Sequence, residues 1–163
     1  MMTKKRFAMI LWAIADGLAD KIRIGSNIRE DEALEKLYTS SLYASLEDEK
    51  TKRWYYSVPK LYELYKEETL QEQEDVPGNE KRRKSKTLPF KVFCIEMYKS
   101  ERKMKGRDVV QLFRQYGVLE YLGKHYEVLH SYGAGYLVWD IGEFIKVRQV
   151  DSEKHAVRKK KSA

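Results

Sequence analysis

The chain has 163 residues, of which 32 are basic and 25 acidic, giving a formal net charge of +7. At 42% hydrophobic and 35% charged it can fill the core of one small body or of two very small ones sharing an interface. No apolar run approaches the ~20 residues that a membrane span needs. A single cysteine, Cys94, excludes an internal disulfide and points to a reducing, cytoplasmic setting. The chain has no phosphate-binding glycine loop, dinucleotide fingerprint or zinc-finger spacing.

Helical spacing recurs along the chain and strand alternation does not. Lys4, Lys5 and Arg6 precede an apolar stretch, Phe7 to Ala15, that imitates a secretory signal. Its only small-x-small site lies inside the stretch, and Phe7, Ile10, Leu11, Ile14 and Leu18 keep to one face of a helix, so a core helix is the reading. Ser26 and Asn27 offer caps for a second helix, with Asp31 and Glu32 in its first turn. That helix presents Ala33, Leu34, Leu37 and Tyr38 and continues or kinks through Leu42, Tyr43 and Leu46. After a polar connection come Trp54, Tyr55 and Tyr56. Ser57-Val58-Pro59 is then a start signal for a third helix carrying Leu61, Tyr62, Leu64 and Tyr65.

The second half repeats this plan. Phe90 to Tyr98 form an apolar helix ending in the basic cluster Lys99, Arg102, Lys103, Lys105 and Arg107. Gly106 breaks the chain, Val109 to Tyr116 continue as a helix, and Gly117 permits a bend before Val118, Leu119 and Leu122. Gly133-Ala134-Gly135 precedes a last helix with Leu137, Val138, Ile141, Phe144 and Ile145. A shift of 76 residues lays Ala33 on Val109, Leu37 on Phe113, Leu42 on Val118, Leu46 on Leu122, Leu61 on Leu137 and Tyr65 on Ile141. It also lays one break on the other, so an internal repeat of helical units stands as an expectation beside the alternative that any two helical bundles share apolar periodicity. The fold expected is all-α, with helical units at 5–68 and 89–150, a charged linker at 69–88 and a disordered basic tail at 151–163.

The charge is unevenly spread. Residues 3–6 and 151–163 carry +3 each, so the globular parts hold little of the total. Within the linker an acidic block is followed by Lys81, Arg82, Arg83, Lys84 and Lys86. Such basic runs invite phosphate, because each neutralised phosphate releases counterions. They also serve simply to keep a small protein in solution. Lys81, Arg82, Arg83, Lys84, Arg102, Lys103, Lys105 and Arg107 are therefore the candidates for contact with DNA or RNA.

No constellation suited to catalysis emerges. His125 and His130 are off a shared helical face and no cysteine pair assists them, so no metal site and no cofactor is expected. His130 is read as satisfying a local backbone group. Cys94, between Phe93 and Ile95, is read as core, and Glu96 as a lone acid facing solvent. Tyrosine and tryptophan are more informative, because an apolar body with a hydrogen-bonding tip suits a protein interface. Trp54, Tyr55, Tyr56, Tyr132 and Trp139 are the candidates, with Trp54 serving equally well as a core plug.

The stretch Phe93-Cys94-Ile95-Glu96-Met97-Tyr98, Gly106, Val109 to Phe113, Tyr116-Gly117-Val118-Leu119, Val128-Leu129-His130 and Tyr136-Leu137-Val138-x-Asp140-Ile141-x-x-Phe144-Ile145 resembles a short bacterial family of helical domains of unknown function. The first half, from Asp31-Glu32-Ala33-Leu34 to Leu61-Tyr62-Glu63, is similar to another small family from the same gene neighbourhoods. Such genes are often found beside one for an ADP-ribosyltransferase-like protein. The resemblance implies an antitoxin-like, non-enzymatic partner of a cognate toxin, and it carries over no catalytic residue.

Overall fold

The computed structural model describes residues 2–69 and 85–161. Thr3 opens the first helix, α1 (Lys4–Gly25), its side chain accepting from Arg6 N at 3.2 Å. Leu11, Ile14, Leu18 and Ile22 are buried along it, and Phe7 and Ile10 are half-buried against the same core. Ser26 and Asn27 finish α1 and do not cap the next helix. Ser26 N donates to Ile22 O, and Asn27 is left-handed at φ 54. Asparagine tolerates that conformation better than most residues. The chain then enters α2 (Glu30–Thr39), whose first turn holds Glu30, Asp31 and Glu32, where the helix dipole favours acids.

The second helix, expected to continue or kink through Leu42, instead breaks fully at Ser40. Its hydroxyl accepts from Tyr43 N and opens α3 (Ser41–Glu47). Two 3₁₀ turns follow, Glu49–Thr51 and Arg53–Tyr55, and then α4 (Val58–Thr69). The second half contains α5 (Thr87–Arg102), α6 (Gly106–Gln115), α7 (Val118–Lys124), α8 (Tyr126–Leu129) and α9 (Ala134–Lys161). Among the described residues every regular element is helical.

The spacing of 76 residues recurs in the elements. It separates α2 from α6 at both ends, and α4 from α9 at their first residues. All six matched apolar pairs are buried in both halves. The first turns correspond too: Leu61 N donates to Ser57 O, and Leu137 N to Gly133 O. The relation extends to α1 and α5, where Asp20 pairs with Arg23 at 2.7 Å and Glu96 with Lys99 at 2.6 Å, again 76 apart.

The halves are not separate units. Equivalent helices meet, α1 lying against α5 and α2 against α6, and the buried side chains of both halves form one core. Lys91 fastens the seam: it is almost fully buried on α5, with Asp31 at 2.7 Å and Glu30 at 3.2 Å. Ser85 and Thr87 also donate to the Glu30 carboxylate.

Two expectations about the flanks change. Thr69 ends α4, Thr87 and Leu88 already belong to α5, and residues 70–84 of the expected linker lie outside the described residues. The tail read as disordered continues α9 as helix through Lys161. Lysine, arginine, glutamate and alanine are good helix formers, and cations at a helix C-terminus oppose its dipole.

Burial pushes the Glu30 carboxyl up, but the hydrogen bonds from Ser85 and Thr87 and the charge of Lys91 outweigh it and hold Glu30 below the usual range. A depressed carboxyl stabilises the fold above its unfolded-state pKa of ~4.3, and that contribution disappears as pH falls through the lower folded value. Wild type should therefore melt above Glu30→Gln at pH 7, with the gap closing below about pH 4 in thermal scans.

Candidate protein-contact surface

The loop after α3 is shaped by short-range hydrogen bonds. The Asp48 carboxylate accepts from Lys50 N at 3.0 Å, and Thr51 Oγ1 donates to Ser45 O at 2.6 Å. Lys52 is left-handed at φ 55, which reverses the chain between the two 3₁₀ turns. This reversal sets Trp54, Tyr55 and Tyr56 in sequence at the border between core and surface. Tyr55 is 70% exposed and Tyr56 50%. Trp54 is half-buried: it stacks on Tyr55 at 3.9 Å, meets Phe7 edge-on at 5.9 Å, and donates from Nε1 to Glu49 O at 3.2 Å. It is thus a hinge between core and surface, and neither a plug nor a free side chain.

Next to this ledge opens a cleft of about 460 Å³. Phe7, Ala8 and Leu11 of α1, Ala44 of α3 and Met104 give it apolar walls. Glu47, Asp48 and Glu49 lie on its rim together with Lys4, Lys103 and Lys105. Both charge signs are therefore available around an apolar centre, the arrangement in which a protein side chain anchors inside a polar border.

Lys99 lines the cleft and ties it to a buried polar network. Its Nζ lies 2.6 Å from Glu96 Oε2 and 3.3 Å from Glu47 Oε1, and donates to Tyr43 OH at 2.7 Å. Tyr38 OH donates to Glu96 Oε1 at 2.9 Å, and Tyr43 OH donates to the same oxygen. Glu96 Oε2 receives no well-aligned hydrogen bond, so the Lys99 charge is its partner. Burial and the Glu96 charge push both phenols well above the usual tyrosine range, which keeps them as donors. Gly106 N donates to Glu47 Oε1 at 2.7 Å. A Cβ at Gly106 would stand 2.6 Å from ring carbons of both Tyr38 and Tyr43, so glycine is required by this close approach.

Two sequence readings are corrected here. Glu96 does not face solvent; it is fully buried. Lys99 does not belong to an exposed basic cluster, because it is buried and spent on Glu96 and Glu47. The signal was present: Glu96 and Lys99 are three apart on the stripe that also carries Val92 and Ile95, so an acid in an apolar face had its cation one turn on.

The other candidates fall as follows. Tyr132 and Trp139 are 44% and 56% exposed and are joined by Tyr136, with ring centres 4.4 Å and 5.6 Å apart along the series. Tyr56 and Tyr132 are themselves 76 residues apart, so the two aromatic corners occupy equivalent places. Arg102, Lys103, Lys105 and Arg107 are exposed. Of these, Arg102 sits over the Tyr98 ring at 5.5 Å and Arg107 donates to Thr39 O at 2.7 Å. Lys81, Arg82, Arg83 and Lys84 lie outside the described residues. Cys94 is fully buried, and burial raises its thiol far above the usual range. His130 Nδ1 lies 2.7 Å from Tyr126 O. Among the described residues no group of three or more His, Cys, Asp or Glu is placed to hold a metal ion, and no helix is long and apolar enough to cross a membrane.

Residues 89–148 match a family described as "Protein of unknown function (DUF3791)", which spans α5 to the middle of α9 and little more than a third of the chain. No curated protein and no solved structure matches.

Removing one member of a buried ion pair strands the other charge, at a cost of about 3–5 kcal/mol. Lys99→Met should lower unfolding stability by that order in urea titrations, and Tyr38→Phe, which deletes a single donor to the carboxylate, by about 1.5–3 kcal/mol.

Proposed function

We propose that this chain is a non-enzymatic binding module that holds a protein partner on the Trp54–Tyr56 ledge and the adjoining cleft. The observation that carries the reading is the juxtaposition of two exposed tyrosines with an apolar cleft bordered by charges of both signs. Rigid aromatic side chains lose little conformational freedom on binding and bury much area, so they supply most of the energy at protein interfaces. In its finer form the partner is a cognate ADP-ribosyltransferase-like toxin, held inactive in the complex, as the resemblance of the chain to domains encoded beside such proteins implies.

Co-expression with the product of the adjacent gene, followed by size-exclusion chromatography, tests this. One shared peak is expected at micromolar concentration, and two separate peaks count against it. Tyr55→Ser with Tyr56→Ser should weaken the complex roughly 30-fold, the size of one ~2 kcal/mol hot spot, without lowering the melting temperature.

A second reading rests on the exposed cations at the turn from α5 to α6. Lys103 and Lys105, with Arg102 and Arg107 beside them, offer a cation-rich corner to the phosphates of DNA or RNA. Duplex affinity should then fall steeply between 50 and 200 mM salt, as for proteins that contact many phosphates. No mobility shift at low salt removes this reading.

A further inference from the structure

Seven of the ten exposed large hydrophobic side chains among the described residues fall between Val128 and Val157. Most of them lie on α9, which runs for 28 residues, ~42 Å at 1.5 Å per residue. Its early turns bury Leu137, Val138, Ile141 and Ile145 in the core, whereas every residue from Lys146 to Lys161 is exposed. At 100° per residue, Tyr136, Trp139, Glu143, Val150, Lys154 and Val157 fall within an arc of ~60°, with Lys146 and Val147 on its two flanks. The aromatic corner and the exposed arm are thus one continuous stripe.

We propose that this stripe pairs with the same stripe of a second copy of the chain, antiparallel, about a twofold axis passing between Arg148 and Gln149. In that register Val147 faces Val150 of the second copy, and Trp139 comes within one residue of the level of its Val157. Glu143 faces its Lys154, and on the flank Lys146 comes within two residues of the level of its Glu153. The twofold produces each contact twice, so apolar contacts alternate with ion pairs of correct sign along the whole length. Parallel pairing would set Lys154 against Lys154 and Glu143 against Glu143. A foreign acidic helix would suit the lysines but repel Glu143 and Glu153. A second copy satisfies both charge signs.

The approach is open. A groove of about 390 Å³ lies beside Trp139, and a Cβ at Gly135 on its edge would meet nothing within 4 Å. The bond from Lys146 to Glu143 within one copy, 2.6 Å long, is an exposed pair that contributes little and is readily exchanged.

Sedimentation equilibrium of the full chain, from micromolar to hundred-micromolar concentration, tests this. Wild type should approach twice the 19.3 kDa of a single chain. Lys154→Glu sets carboxylate against carboxylate at two places and should weaken the dimer at least ~10-fold. Adding Glu143→Lys to it reverses both partners and should restore the dimer, a rescue that only self-pairing in this register allows. Lys154 is exposed and Glu143 half-buried, and circular dichroism checks that the variants stay folded. Tyr55→Ser with Tyr56→Ser should leave the dimer intact, which separates this surface from the ledge. A wild type that stays monomeric overturns the proposal, including one whose arm binds an acidic peptide or a nucleic acid instead. So does a Lys154→Glu variant as tight as wild type, or a double variant no better than the single one.

Discussion

One carboxylate kept wholly out of water sets the terms for this molecule. A charge buried without compensation is costly enough to abolish a small fold, so Glu96 dictates what surrounds it. Lys99 must lie one turn away, Tyr38 and Tyr43 must bring their hydroxyls to the opposite oxygen, and Glu47 must share the lysine. These residues come from α2, α3 and α5, and Gly106 at the head of α6 completes the shell by leaving room for two rings. Apolar burial drives the halves together but is indifferent to small shifts in register. The polar cluster is not, because a displacement of a few ångströms would break several bonds around a charge that water cannot reach.

The seam is therefore also the scaffold for the surface. Lys99 closes the network on one side and lines the cleft on the other, which holds the cleft's floor still while its rim stays polar. The ledge of Trp54, Tyr55 and Tyr56 hangs from the same region through Phe7 on α1 and Glu49 after α3. The second aromatic corner, at Tyr132, Tyr136 and Trp139, occupies the equivalent place in the other half but leads into the long exposed arm of α9. The two aromatic corners give two different surfaces, and among the described residues the second leads into a helix that runs on beyond the core.

Much of the architecture was legible in the order of residues. Apolar periodicity located the helices, and the shift of 76 found side chains that are buried in both halves. Where the reading failed, the cause was physical. Ser26 and Asn27 have the chemistry of caps, but whether such residues open a helix or close one depends on the helix that is already there. Glu96 and Lys99 looked like surface residues because composition weighs a charge without knowing its neighbours. The tail looked disordered because nothing in it needs burial, yet its residues are good helix formers continuing a helix that is already nucleated.

What the sequence determined by itself was local: which segments are helical and which face of each is apolar. Those properties depend on neighbours three or four residues away. Only the tertiary structure decided that the halves share one interior, that a glutamate sits at its centre, and that Trp54 leans on α1 while Tyr55 and Tyr56 stay exposed. Those outcomes depend on groups 47 to 77 positions apart, such as Phe7 with Trp54, Tyr38 and Tyr43 with Glu96, and Trp12 with Pro89, and no local pattern encodes a meeting at that distance.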